Sequence, residues 1–314
     1  QFFPSPLTLN PAYTGKFDGI FRVAGNYRNQ WPSISNAFTT KTASADFHLL
    51  KNYLADIDRW GIGGLFMNDQ SGNGALTTNT FSLSTAYHKG LDEDGYHQIG
   101  VGFQGTYTDK RLNVNILDFE DELTALGFTG ATSEIFPQSG LQIKFVDVNA
   151  GVLYNGSTNG YNNFYLGTSL YHINRPKETF QGGQYYLPSR TTIMAGGRLP
   201  TNQYNAMHFS GNYSIQSGAN NLIFGGAYAM NLNYDEENPV NVYMGAWARF
   251  NNVTDALIPY VGVEFGDVMF GASYDVNISS LQPASNMRGG IELSLIYIKK
   301  PVDRSLKKLN CPKF

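Results

Sequence analysis

Over most of the chain, apolar residues alternate with small or polar ones in runs of about ten residues, each ending in a cluster of Gly, Asn, Asp or Pro. Alternation at period two gives a strand one apolar face, and the clusters reverse its direction. The first run sets Phe21, Val23, Gly25 and Tyr27 against Arg22, Ala24, Asn26 and Arg28. Two arginines on one face need water or partners, so that face is expected to line a polar interior. The second run sets Ala43, Ala45, Phe47 and Leu49 against Thr42, Ser44, Asp46 and His48. Later runs repeat the pattern. Met207, Phe209, Gly211 and Tyr213 oppose His208, Ser210, Asn212 and Ser214, and Val268, Phe270, Ala272 and Tyr274 oppose Met269, Gly271, Ser273 and Asp275. The stretch 60–67 is glycine-rich, and its facing is ambiguous.

The runs number about 14, and an even count is the rule for bacterial single-chain barrels. The pattern predicts an all-β fold: a transmembrane antiparallel β-barrel over residues 17–298, between an N-terminal segment 1–16 and a basic tail 299–314. An even count brings both termini to one side, expected to be the periplasm. Connection lengths agree with this orientation, since external loops run longer than periplasmic turns. The long ones are 31–41, 68–77, 110–140 and 174–189, all expected outside; 51–59 is long for a turn on the inner side. The longest loop contains 119–126, which reads as a short helix. Tyr27, Trp31, Tyr87, Tyr107, Tyr154, Tyr171 and Tyr213 fall near predicted strand ends, where an aromatic girdle would flank a lipid band.

Composition sharpens the reading. Charged residues make up 15% of the chain, against about 25% in a soluble domain. Mean hydropathy is −0.28, and no apolar run approaches the roughly 18 residues of a spanning helix. A barrel can span with half its wall polar. The net charge of −3 comes without a basic stripe, which argues against a nucleic-acid partner. The single cysteine, Cys311, has no second cysteine to pair with. The chain opens at Gln1 without a methionine, as a mature end left by signal-peptide removal would, so the expected location is the bacterial outer membrane.

The stretch Pro6-Leu7-Thr8-Leu9-Asn10-Pro11-Ala12-Tyr13-Thr14-Gly15 resembles the opening of the PorP/SprF family, outer-membrane proteins of the Bacteroidetes type IX secretion system. Members commonly carry "P-L-x-L-N-P-A-x-x-G" before the first strand. The tail Asn310-Cys311-Pro312-Lys313-Phe314 resembles the family's terminal "C-P-[KR]-F", so the likeness spans nearly the whole chain. Residues Gln1-Phe2-Phe3-Pro4-Ser5 depart from it, being shorter or more divergent. The resemblance implies a part in secreting surface proteins and in gliding motility. The partners it implies are periplasmic secretion-system components and an exported surface protein, such as an adhesin C-terminal domain. Asn10, Pro11 and Gly15 carry the N-terminal motif, and Cys311, Pro312 and Phe314 the C-terminal one.

Read as side chains alone, Asn10-Pro11 and Gly15 form a turn that aims the chain into the first strand. Phe2, Phe3, Leu7 and Leu9 must leave water. They are expected to cover an apolar rim at the barrel base, the alternative being a lumen plug or a docking segment. Lys299, Lys300, Arg304, Lys307 and Lys308 make the tail basic, suited to an acidic partner or to plain solvation.

Enzymatic chemistry finds little support. G-x-S-x-G, H-E-x-x-H and P-loop motifs are missing, and no cofactor is expected. His48, His88, His97, His172 and His208 are scattered; His48, His88 and His208 read as lumen-lining. Asp92-Glu93-Asp94-Gly95 lacks the further ligands of a calcium loop. Asp118, Glu120, Asp121 and Glu122 form an acidic patch in the long loop, a solvated surface or a partner-binding patch. The interior charges are Arg22, Arg28, Asp46, Asp147, Arg249, Glu264, Asp275 and Glu292, whose mixed signs predict cross-lumen ion pairs and not a selectivity ring. A barrel of this width must hold water, a plug or a ligand. Three functions follow: a secretion-system barrel that binds an exported protein and connects it to periplasmic machinery, a passive or hydrophobic-substrate transporter, or a rim-located hydrolase built on His172. The first fits best.

Overall fold

In a computed structural model, residues 4–32, 38–50, 53–55, 57–125, 127–130, 132–136, 141–180, 183–233, 240–251, 255–279 and 288–300 are described. Two 3-10 turns, Pro6–Thr8 and Pro11–Tyr13, precede the sheet. The strands are β1 (Phe21–Gln30), β2 (Phe38–Leu49), β3 (Arg59–Ser71), β4 (Leu76–Gly90), β5 (Gln98–Leu112), β6 (Leu123–Thr124), β7 (Gly127–Phe128), β8 (Leu141–Gly156), β9 (Asn163–Tyr171), β10 (Arg190–Pro200), β11 (Ala206–Gln216), β12 (Ala219–Asn231), β13 (Val240–Asn251), β14 (Ala256–Phe265), β15 (Val268–Asn277) and β16 (Arg288–Ile298). β6 and β7 form a hairpin of their own, and the other 14 close an antiparallel barrel, each paired with its neighbour along the chain. Closure falls between β1 and β16, with Arg22 opposite Ile298 and Gln30 opposite Gly290. Both ends of the barrel therefore lie at one rim, termed here the terminal rim; the other is the far rim.

The barrel strands run from 9 residues in β9 to 16 in β8, and about 9–11 tilted residues cross a bilayer. Among the described residues no helix is long and apolar enough to cross a membrane. The alternation sets the facing. Leu83 is 74% exposed on the outer face while its neighbours Ser82 and Ser84 are buried inside. Tyr27 and Phe209 also point out, and Arg22 and Asn212 point in. A wall that shows its large apolar side chains and hides its polar ones inverts the soluble pattern, and lipid is the solvent it suits.

β3 resolves the ambiguous stretch: Gly61, Gly63 and Leu65 face inward and Phe66 outward. Two expectations change. Tyr171 does not join the girdle; it is 6% exposed and points inward, because the inner face of β9 runs through Tyr165, Gly167, Ser169 and Tyr171. Residues 119–125, the described part of the stretch expected to be helical, form no α-helix. The 3-10 turn Glu120–Glu122 leads into the β6–β7 hairpin, whose Gly127 takes φ 109°. Phe119 and Leu123 stand at helical spacing, but Leu123 is left exposed with no surface to pack on, and so short a helix is marginal without one.

Candidate functional site

The lumen is the site, and the N-terminal segment fills one side of it. Leu7, Asn10, Ala12, Tyr13 and Thr14 are all buried inside the cylinder. The expectation that Leu7 and Leu9 cover the base rim gives way to its alternative, a plug; Phe2 and Phe3 lie outside the described residues. Proline opens each 3-10 turn, where its fixed φ suits the turn and its missing N–H costs nothing. Asn10 then holds the segment at two levels. Its Oδ1 accepts the Ala12 amide at 2.8 Å, while its Nδ2 donates to the Val152 and Thr168 carbonyls, each at 3.1 Å, on β8 and β9.

A plug in 3-10 turns leaves carbonyls without strand partners, and the wall supplies donors for them. Gln104 Nε2 and the Tyr171 hydroxyl each reach Leu7 O at 3.2 Å, and Ser169 Oγ reaches Leu9 O at 2.6 Å. Arg22 Nη2 donates to Tyr13 O, His88 Nε2 to Thr14 O, His48 Nε2 to Gly15 O and Arg59 Nη1 to Phe17 O, at 3.1, 3.1, 2.7 and 2.9 Å. Each such bond contributes about 0.5–1.5 kcal/mol, and leaving a buried carbonyl unpaired would cost more.

Glycines on the inner wall make room for this approach. A β-carbon at Gly151 would lie 1.9 Å from Asn10 Oδ1, one at Gly102 would lie 2.4 Å from Ala12 N, and one at Gly61 would lie 2.6 Å from Gly15 Cα. Gly15 itself has φ 71°, which turns the chain out of the plug.

The predicted interior charges all face the lumen and pair along the wall, not across it. Arg22 grips the carboxylate of Asp46, its register partner on β2, through Nε and Nη2 at 2.9 and 2.8 Å, and Asp46 also accepts the Gly15 amide at 2.8 Å. Asp275 takes Arg28 at 2.8 Å and Arg249 at 2.7 Å, and Arg28 reaches Glu292 at 3.1 Å. Asp147 holds the His172 ring at 2.8 Å. Glu264 accepts the Tyr243 hydroxyl at 2.7 Å. Adjacent and next-but-one strands place opposite charges within reach, so no bridge across the lumen forms among these residues.

The other side of the lumen is filled by the wall itself: Ile223, Tyr243, Trp247, Ile258, Tyr260, Met269 and Ile296 pack as one cluster. Above the plug at the far rim a cup of about 370 Å³ stays open, lined by Thr8, Leu9, Gln30, Arg190, Thr192, Asn212, Ser214, Asn221, Ile223, Arg249 and Asn251.

The remaining candidates sit elsewhere. Asp118, Glu120 and Asp121 are exposed in the far-rim loop, while Glu122 is 5% exposed and turned in. The Ser133 amide and hydroxyl and the Thr132 hydroxyl hold the Asp121 carboxyl below the usual carboxylate range. Lys299 and Lys300 pack on the β14–β15 turn, near Asp267 and on Gly266 O. Lys307, Lys308, Cys311, Pro312 and Phe314 lie outside the described residues. Among the described residues no cluster of three His, Cys, Asp or Glu forms a metal site. Sequence reading missed the plug's berth, although Gly100 and Gly102 alternating with Ile99 and Val101 marked an inner face with no side chains.

Solved structures share the architecture. The TodX ΔS2S3 mutant, a monoaromatic hydrocarbon channel, superposes with TM-score 0.56 over 94% of each chain at 9% identity. The CymD monoaromatic hydrocarbon channel gives 0.54 over 96% of this chain and 94% of its own at 8% identity. The Ralstonia pickettii toluene transporter TbuX gives 0.50 over 95% and 93% at 11% identity. At such identities they show the fold alone, that of an outer-membrane barrel. No curated protein sequence matches the chain. The model of the type IX secretion system membrane protein family PorP/SprF matches residues 1–297. The family and fold are those of a secretion-system membrane barrel and not of a known enzyme class. With the motif that opens the family serving here as the lumen plug, the chain is an outer-membrane β-barrel and belongs to the PorP/SprF family of type IX secretion system proteins.

Proposed function

We propose that this barrel is a docking platform and not a conduit. An exported surface protein, such as an adhesin C-terminal domain, binds at the far rim outside the cell. The terminal rim faces the periplasm and connects that protein to the secretion and gliding machinery. On this reading 17–298 is the barrel, the segment before it the plug, and 299–314 a periplasmic tail whose Lys307 and Lys308 meet acidic partners. The plug carries the reading: a lumen occupied by hydrogen-bonded chain suits a structural hub better than a passage. The exposed acids Asp118, Glu120 and Asp121 offer the far rim a partner surface. The cup's polar lining ill suits an apolar substrate, which counts against hydrophobic transport.

Affinity capture of the intact barrel from native outer membranes tests this, paired with conductance in planar bilayers. The expected result is co-purification of a surface protein and of periplasmic components, with little conductance. Steady conductance with neither partner captured would favour the transporter. Deleting residues 4–15 is expected to raise conductance by removing the plug.

A further inference from the structure

The far-rim cup holds three buried side-chain atoms with no hydrogen-bond partner: Asn221 Oδ1, an acceptor, the Arg190 Nε–H, a donor, and the Nε–H of Arg249, whose Nη1 is held by Asp275. The strand register explains why they share a space. Thr192 of β10 lies opposite Ser214 of β11, Ser214 opposite Asn221 of β12, and Asn221 opposite Asn251 of β13, so these residues form one inward row across four strands. Arg190 stands two residues nearer the mouth on β10.

Arg190 is poised, not spent. Its guanidinium stacks over the Tyr171 ring with Cζ 4.5 Å from the centroid, which fixes its plane. Its Nη2 reaches Thr8 O at 3.5 Å, at the limit of a hydrogen bond, and no ion pair forms with it among the described residues. The cup's other arginine, Arg249, is already held by Asp275 at 2.7 Å. Asp147, the inward carboxylate of β8, gives its Oδ2 to the His172 ring and does not line the cup. The cup thus carries one guanidinium outside any ion pair among the described residues, an acceptor on the next strand but one, and the neutral groups Thr192, Asn212 and Ser214.

We propose that the cup binds a carboxylate flanked by a hydrogen-bond donor. The carboxylate lies side-on along the Arg190 Nε–Nη edge as a two-point pair, and the neighbouring N–H or O–H donates to Asn221 Oδ1. A single guanidinium matches a monoanion; a phosphate dianion would ask for more positive charge. A volume of about 370 Å³ falls in the range of small-ligand sites. A free N-acylated amino acid and the end of a peptide chain present the same group.

Calorimetric titration of the purified barrel in detergent separates these sources. The probes are N-acetylglycine, an N-acetylated triglycine, the C-terminal amide of that peptide, and acetate. Both acids with a neighbouring N–H are expected to bind, with the amide and acetate weaker by about ten-fold or more. Tighter binding of the triglycine assigns the site to a chain end; tighter binding of N-acetylglycine assigns it to a free acid. Arg190→Gln should weaken the acids by about ten-fold or more. Arg190→Lys should recover little, because an ammonium cannot make the side-on pair. Asn221→Leu should erase the advantage over acetate. Equal binding of acid and amide overturns the proposal, as does unchanged affinity in a folded Arg190→Gln barrel. The acid–amide comparison on the unaltered protein stands even if a variant fails to fold. No exported protein enters the measurement, so it succeeds or fails independently of the docking-platform reading.

Discussion

The two sides of the lumen solve one problem by opposite means. From β3 through β9 the inner wall shrinks to Gly61, Gly63, Ser84, Gly102, Gly151 and Ser169, and a borrowed strip of chain fills the space. From β12 through β16 the wall carries Tyr243, Trp247, Tyr260 and Met269 and fills itself. A cylinder this wide is beyond what ordinary inward side chains can close. A covalent but separable filler can be held by groups matched to its carbonyls. A filler grown from the wall cannot leave without unfolding it.

That contrast can be broken by experiment. The largest expected effect is on the self-filled side. Asp275→Leu takes from Arg249 and Arg28 the buried carboxylate they share. Removing one partner from a buried pair costs about 3–5 kcal/mol. Thermal unfolding in detergent should register that loss while residues 4–15 keep their protection from protease; loss of protection as well would mean the two sides are coupled.

Gly151→Val should act the other way round. Its side chain would occupy the position of Asn10 Oδ1, at a cost of about 1–3 kcal/mol. Hydrogen exchange should quicken at residues 7–14 with the strand ladders unchanged. Gly105→Val is the matched control, since a β-carbon there meets nothing within 4 Å; equal effects from the two would remove the case for a glycine berth.

The smallest effect belongs to the β2–β3 turn at the terminal rim. Burial alone would push the Asp58 carboxyl up, but hydrogen bonds from the Tyr87 hydroxyl, the Lys89 ammonium and the Gly90 amide outweigh it and hold the group below its ordinary range. A carboxyl lowered by folding stabilises at pH above its unfolded value of about 3.9, and that support fades as pH falls through the lower folded value. Exchange at the Gly90 amide should therefore rise only in strong acid, and Asp58→Asn should flatten the dependence.

Much of the barrel was legible because period-two alternation is local: Met207 to Ser214 states its two faces within eight letters. β3 was not, since glycine takes either side and only the seated plug tells Gly61 from Gly64. Tyr171 misled because an aromatic near a strand end suits a girdle and an interior equally. The plug itself left no periodic trace, as two proline-led turns bury side chains in every direction. The interior charges could be named from their positions, but their partners could not. Arg28 and Asp275 lie 247 residues apart in sequence and meet only once β1 and β16 have joined.

The position of that joint bears on assembly. Seven of the wall side chains that bond carbonyls of the leading segment, Arg22, His48, Arg59, His88, Gln104, Ser169 and Tyr171, come from the first 171 residues, and Arg190 adds a long contact of 3.5 Å to Thr8 O. The leading strip can therefore settle onto a half-built, still open sheet, like a cloth laid on a stave wall before the last stave is set. β16 then shuts the seam behind it, so the strip is enclosed without ever threading a finished ring.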